Sequence, residues 1–359
     1  MRITSLYLIR NVLIGFVAGA ALLLPLFTTF DLISELDDVT SGGYRWPLAL
    51  EVVLMTLPRR AVDLGPFIAL LGGITGLGQL ALTHELTAMR TAGMSIVRIA
   101  ITTVMAGLML VLLLGAIDEW VASPLQQRGV QIRNEALAVS GEAASPSGSI
   151  WARHGNEVAR IGAMSRHNTP VNIEIFQYTP DLFLKSYVFA ASAEIRADGT
   201  WLLKNAQIKE WNGTDESIRQ QGTLVWRSVF SDRRLKDLTL PTDSFSIRQL
   251  HHYIQFLNDS GQPSAEYEMA MWQKLGRPIL TLAMILFAVP FTFAQQRSPG
   301  LGGRLAIGAV VGLLIYVGNQ IIASLGLLLA ANVMLTTLLP PLTLLGVALW
   351  LIYRFDRAR

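Results

Sequence analysis

Read for the spacing of apolar and polar positions, the chain divides into long uncharged runs around one polar interval. Residues 11–30 carry no charge and end at Asp31. A helix that crosses a bilayer takes roughly 20 such residues. The run is too long for a typical signal-peptide core, and no small-residue cleavage site follows promptly, so it reads as a retained helix. Residues 64–83, entered from about Val52, and residues 99–117 give a second and a third span. Residues 278–296, between Arg277 and Arg297, give a fourth. Residues 305–353 hold no charged side chain. At about 1.5 Å per residue that run is too long for one crossing, so it predicts two helices turning near Ala331-Asn332. The count is six, three on each side of the interval.

The interval, residues 118–262, reads mostly as strands. In "VNIEIFQY", Val171, Ile173 and Ile175 alternate with Asn172, Glu174 and Gln177. "GTWLLKNAQIKEW" and "GTLVWRSVF" follow, with turn signals at Asp198-Gly199, Asn212-Gly213 and Gln221-Gly222. Strands spaced in this way suggest an all-β sandwich or roll. Leu250, Tyr253, Ile254 and Leu257 then fall at helical spacing and lead back to the membrane. The expected organisation is therefore residues 1–117 with three spans, 118–262 as a β-domain with connectors, and 263–359 with three more.

Composition agrees. The chain has 359 residues, 52% hydrophobic and 15% charged, with a mean hydropathy of +0.43, where soluble domains are about 25% charged. Charge also orients the spans. With the N-terminus placed inside, the inner segments hold Arg2, Arg10, Arg90, Arg98, Arg297, Arg304, Arg354, Arg357 and Arg359 against Glu85 and Asp356. The first outer segment holds Asp31, Glu35, Asp37, Asp38 and Glu51 against Arg45. Both termini are then expected in the cytoplasm and the β-domain outside.

Several chemistries are excluded. With no cysteine there is no disulfide, thiolate nucleophile or Cys-ligated metal. A net charge of +3 is no nucleic-acid signal. No phosphate loop is present: the glycines of "LGGITGLGQL" lie inside the second span with no lysine after them. His84-Glu85 lacks the second histidine of a zinc motif, because position 88 is Ala88, and the adjacent His251 and His252 point in different helical directions. No metal site and no nucleophile–base pair can be assembled, so the chain is not expected to be an enzyme. The glycine pairs Gly15/Gly19, Gly72/Gly76 and Gly308/Gly312 are spaced for close helix packing.

One short polar stretch, "THELTAMRTAG" at residues 83–93, stands between spans two and three. Thr83 suits an N-cap, Glu85 the first turn and Gly93 the position after the last turn. Leu86, Met89 and Arg90 share a face. Two readings fit: a surface loop that is locally helical, or a coupling helix that docks into a cytoplasmic motor subunit.

The segment Glu85-Leu86-Thr87-Ala88-Met89-Arg90-Thr91-Ala92-Gly93 resembles the E-[LI]-x-x-M-x-x-x-G segment of the LptF/LptG permeases, which export lipopolysaccharide in Gram-negative bacteria. The six spans, "DEWVASP" at 118–124, "IWARHG" at 150–155 and "LHHYIQFLNDSGQPSAEYEMAMWQK" at 250–274 are similar to the same family, its LptG branch more than its LptF branch. His84 departs from the serine common there. The resemblance implies an inner-membrane ABC transporter permease that pairs with an LptF-like permease and binds two copies of an LptB-like ATPase. That partner would hold the ATP and Mg, leaving no cofactor in this chain. It also implies a periplasmic β-jellyroll and transfer of lipid to LptC and LptA. Glu85, Leu86, Met89, Arg90 and Gly93 would form the coupling element. Spans one, two and five would line a lipid cavity.

Lipid A carries phosphates, so such a cavity calls for cations at its outer rim. Arg59, Arg60 and Arg133 are the candidates; Arg59 and Arg133 are equally readable as snorkelling or paired with Asp31, Glu35 or Asp63, and for Arg60 that second reading outweighs phosphate binding. The acidic "ELDDVTSGG" after span one stands where LptG-like chains often carry lysines. On span five, Gly308, Gly312, Ile315 and Asn319 share a face, as cavity lining or as helix packing with an interhelical hydrogen bond at Asn319. Two other classes remain: an ion-coupled transporter, which wants ionisable groups at mid-membrane, and a membrane-anchored β-domain that acts as a scaffold. The topology is testable on a chain with no cysteine of its own. In intact spheroplasts, Asn212→Cys is expected to react with an impermeant thiol reagent from outside and Ser298→Cys is not. The reverse pattern inverts the topology.

Overall fold

Apolar length decides the architecture before any side-chain contact does. Among the described residues of the computed structural model, six helices are long and apolar enough to cross a bilayer. The structure describes residues 2–39, 44–139, 150–164, 169–181, 183–196, 200–212, 215–227, 240–259, 263–294, 301–329 and 332–357. Helix α1 is Arg2–Asp37. Next come α2, Trp46–Asp63, and α3, Gly65–Leu82. The second span is thus not entered continuously from Val52. The helix breaks at Leu64, and Gly65-Pro66 opens a new one, because proline lacks the N–H that would continue the ladder. The short α4 is Glu85–Thr91 and α5 is Ile96–Ile117. A five-residue π-turn, Asp118–Ala122, joins α5 to α6, Ser123–Val139. The third span therefore does not stop where its apolar run stops, and residues 118–139 are helix rather than strand. Beyond the β-domain lie α7, Ile247–Asp259, α8, Ala265–Ala294, α9, Leu301–Leu328, and α10, Val333–Arg357.

Glycines let the first span lie backbone to backbone on the second. A methyl group at Gly15 would overlap the carbonyl oxygen of Gly72, and one at Gly76 would sit 2.7 Å from that of Asn11. Gly19 faces the same stretch, where an added methyl group would sit 3.3 Å from the Gly72 nitrogen. Gly308 and Gly312 of α9 give room to Ile74 and Leu70 of α3 in the same way. The core around α3 gathers Val12, Phe16, Leu70, Ile74, Leu77, Met284 and Ile285. Ile315 is partly buried against it. The interhelical bond expected at Asn319 is not formed among the described residues, where its Oδ1 has no partner. Helix α9 buries little of itself, so few neighbours are within reach.

The β-domain is one antiparallel sheet of six strands in sequence order: β1 Ile150–His154, β2 Glu157–Met164, β3 Pro170–Tyr178, β4 Leu184–Ile195, β5 Thr200–Asn212 and β6 Asp215–Arg227. Ile173 and Ile175 are buried as the alternation in β3 predicted. The signal at Gln221-Gly222 is not a turn, because β6 runs through it and stays paired with β5. Across from Gly222, Asn205 takes a φ of +53°, and burial in β5 shifts from Trp201 and Leu203 to Ala206. The chain bends there instead of reversing. The signals at 198–199 and 213 fall outside the described residues. The sheet also coils. Glu157 of β2 accepts a 2.7 Å hydrogen bond from the Trp226 indole of β6, although four strand spacings would hold them about 19 Å apart in a flat sheet. The coiling encloses a core of Ile161, Ile173, Ile175, Val188, Trp201, Leu203 and Trp226.

Because Gly72 meets the α1 backbone, Gly72→Val must push the two helices apart, at a cost of about 1–3 kcal/mol for overpacking. The expected outcome is a lower thermal midpoint for the purified protein. Gly318→Val on open α9 surface, where a Cβ would meet nothing, should leave it unchanged.

Candidate functional site

Two sites emerge, one at each end of the spans. At the end holding the chain termini, α4 is set by the turn before it. His84 takes a left-handed φ of +60°, and no side chain caps the helix. Thr83 is not the cap expected from the sequence. Its hydroxyl lies on the carbonyl of Gln79 at 3.2 Å and beside Glu85 Oε1 at 3.1 Å. It thus steadies the Glu85 carboxylate rather than the helix backbone. The Tyr7 hydroxyl of α1 donates to Glu85 Oε2 at 2.8 Å. Glu85 then forms one wall of a cleft of about 450 Å³ with Thr4, Ala88, Met89, Ala92, Met94 and Arg98.

The apolar face of α4 turns toward its own chain. Leu86 is buried in the hydrophobic core of the helical bundle and Met89 packs against that core. The expectation that this whole face docks on another protein is therefore corrected for Leu86: an apolar side chain 2% exposed already has its contacts. Arg90 also points inward, its guanidinium 5.3 Å from the Phe293 ring centroid on α8, an attractive cation–π arrangement. Gly93 takes the left-handed conformation expected of it, φ +94°. Behind α4, Asp356 of α10 accepts from the backbone N–H of Ile96 at 3.0 Å, where a helix N-terminus favours a carboxylate. Tyr7, Phe293 and Asp356 were not anticipated. Only Asp356 carries a sequence signal, as the acid among Arg354, Arg357 and Arg359.

At the opposite end, the three candidate arginines have different fates. Arg59 is 4% exposed. Its Nη1 donates to Asp118 Oδ1 at 2.7 Å, and its Nε lies 3.3 Å from Asp63. Asp118 also accepts from Lys274 Nζ at 3.0 Å on each oxygen, and Arg277 reaches Asp63 at 2.8 Å. Arg59 is therefore corrected from rim cation to member of a buried ion cluster: its charge already has carboxylate partners inside the protein. Arg60 points the other way. It holds Asp31 of α1 with two hydrogen bonds, one of them Nε to Oδ2 at 2.7 Å, and its side chain is 39% exposed. Arg133 lies on α6 and pairs with Glu35 at 2.7 Å and with Asp38. Tyr44 completes that corner by donating to Glu35 at 2.6 Å. Burial and this bond push its phenol well above the ordinary value, so it remains a donor. Asp31, where span one ends, is thus the counter-charge for Arg60, and Glu35 and Asp38 of the acidic stretch after it are that for Arg133.

The Arg59–Asp63 contact is one of the pairings expected from the sequence, whereas Asp118 and Lys274 carry no sequence signal of their own, because each stands at a span end, where a charge marks a boundary. Their mutual contact needs the folded bundle.

The family model described as lipopolysaccharide export system permease LptF/LptG matches residues 6–354. The chain is 29% identical over 324 residues to the lipopolysaccharide export system permease protein LptG of Escherichia coli K12, covering 90% of each chain. It is 26% identical over 349 residues to the protein of the same name from Haemophilus influenzae, covering 97% of each. A six-span helical membrane protein with an inserted β-domain, matched along nearly its whole length, this chain belongs to the LptF/LptG family of lipopolysaccharide export system permeases.

Proposed function

We propose that the chain is a permease subunit of an ATP-driven transporter that extracts lipopolysaccharide from the bacterial inner membrane toward a periplasmic β-jellyroll bridge. ATP hydrolysis belongs to a partner ATPase bound in two copies at the cytoplasmic face. A second, LptF-like permease completes the cavity, and LptC and LptA receive the lipid. The observation that carries this reading is the anchoring of α4. A helix of seven residues is too short to persist alone, yet side chains from α1 and α8 hold it, and one from α10 holds the start of α5 just beyond it. A push on α4 therefore reaches three spans. The open part of its surface, Thr87, Ala88, Thr91 and Ala92 with Glu85 beside them, is what a partner would meet.

The ends and middles of the spans favour lipid over ion coupling. In the described spans the charged side chains gather toward the ends, and α3 and α5 are uncharged from Gly65 to Leu82 and from Ile99 to Ile117. An ion-coupled mechanism wants such groups at mid-membrane. The apolar outer face of α9, with Val310, Leu313, Leu314, Val317 and Ile321 exposed, suits acyl chains and a second permease. Arg60, bonded to Asp31, and Arg133, bonded to Glu35, are our candidates to meet lipid phosphates by exchanging carboxylate for phosphate.

The direct test is ATP-dependent release of lipopolysaccharide from vesicles containing the complex purified from the same source. Absence of release removes the reading. Glu85→Lys is expected to abolish release and to lower recovery of the ATPase by more than tenfold, the effect of losing a charged contact worth about 2–5 kcal/mol. Full recovery and full release would make α4 a mere turn. At the other end, Arg60→Glu and Arg133→Glu should each lower photo-cross-linking of lipopolysaccharide to the complex, with the subunits still co-purifying. Wild-type cross-linking in both would assign these arginines to structure alone.

A further inference from the structure

The buried ion cluster sits at the one irregular place in the longest helical run of the molecule. Ile96–Leu137 is continuous over 42 residues, about 63 Å of helix. It starts just after α4 and ends at the approach to β1. Its only departure from α-helix is the π-turn Asp118–Ala122, a wider turn that interrupts the regular ladder and is frequent at functional positions. The first residue of that turn, Asp118, is 7% exposed. It is held by cations from two other helices, Arg59 of α2 and Lys274 of α8, and Arg59 and Arg277 share Asp63 in turn.

The residues just after Asp118 hold the chain returning from the β-domain. Glu119 accepts from the backbone of Ile247 at 3.3 Å and lies 3.4 Å from Arg248. Gln126 donates to Asp243 at 3.2 Å, and Gln127 to the carbonyl of Ser244 at 3.1 Å and to Gln249 at 2.9 Å. The outgoing and returning connections are thus tied into one neck directly above the π-turn. Burying charge is a poor route to stability compared with apolar packing. Its use here is directional: it fixes which way the irregular turn faces.

We propose that Asp118 is a positioning residue for transport: gripped by Arg59 and Lys274, it holds the π-turn so that movement of α5 at the α4 end is passed to the neck of the β-domain. The inference rests on the transporter reading, and its readout is separate. In the assembled complex in nanodiscs, spin labels at Leu112→Cys on α5 and Lys185→Cys on β4 report the distance across the turn. The wild type is expected to change this distance between nucleotide-free and ATP-analogue-bound states. The double variant Asp118→Asn/Lys274→Met removes the grip without leaving an isolated buried acid. It should keep its expression and thermal midpoint, lose the nucleotide-dependent distance change, and release lipid about fivefold or more less per ATP hydrolysed. Lys274→Arg keeps the ion pair and should retain both. Wild-type release with a responsive distance in the double variant would overturn the proposal. So would collapse of its folding, which would make the cluster a stability element only. Failure of the wild-type complex to release lipid would instead sink the transporter reading.

Discussion

Contact between bare backbones of α1 and α3 is the constraint on which the rest of the bundle depends. With Gly15, Gly72 and Gly76 at the crossing, the helices approach to the point where a single methyl group would overlap a carbonyl oxygen. In a bilayer there is little hydrophobic gain from bringing helices together, so dispersion at short range must do it. The consequence is felt at the ends. Only because α1 lies flush on α3 can Tyr7 reach Glu85 beyond the last turn of α3. The same closeness brings Asp31, near the other end of α1, to Arg60 of α2.

The two ends of the bundle are organised by different forces. At the α4 end, single weak contacts from several spans converge on α4 and the start of α5: a hydrogen bond from Tyr7, a ring under Arg90, a carboxylate at the start of α5. None is strong alone, and together they make α4 a fixed part of the bundle. At the other end, charge dominates. Arg59, Asp63, Asp118, Lys274 and Arg277 form a cluster closed to solvent on most sides. Arg60 and Arg133 take carboxylates on the more open side. Adjacent arginines in α2 therefore do unlike work, one inside and one at the rim, because successive residues of a helix point about 100° apart.

The β-domain shows how far local pattern carries. Alternation identified β3 and its buried isoleucines, since period two belongs to any strand with one covered face. The same reasoning misread Gln221-Gly222, because a glycine marks a bend as readily as a reversal. Coiling was invisible in the sequence: the bond between Glu157 and Trp226 joins strands whose residues lie 69 apart.

Sequence by itself determined the six spans, the inserted all-β domain, the short helix before α5 and the glycine spacings that let helices meet. Each of these is a local property: apolar run length, residue period and the absence of a side chain act wherever the segment finds itself. Tertiary structure decided the rest. That Leu86 and Arg90 face their own bundle, that Arg59 is buried while Arg60 is not, and that Asp118 anchors a π-turn all follow from partners 59 to 203 residues away. A charge at a span end has the same sequence signature whether it meets lipid, water or another charge. Only the packing of the helices chooses among them, because a Coulomb or hydrogen-bonded contact is settled within a few ångströms in space and has no period along the chain.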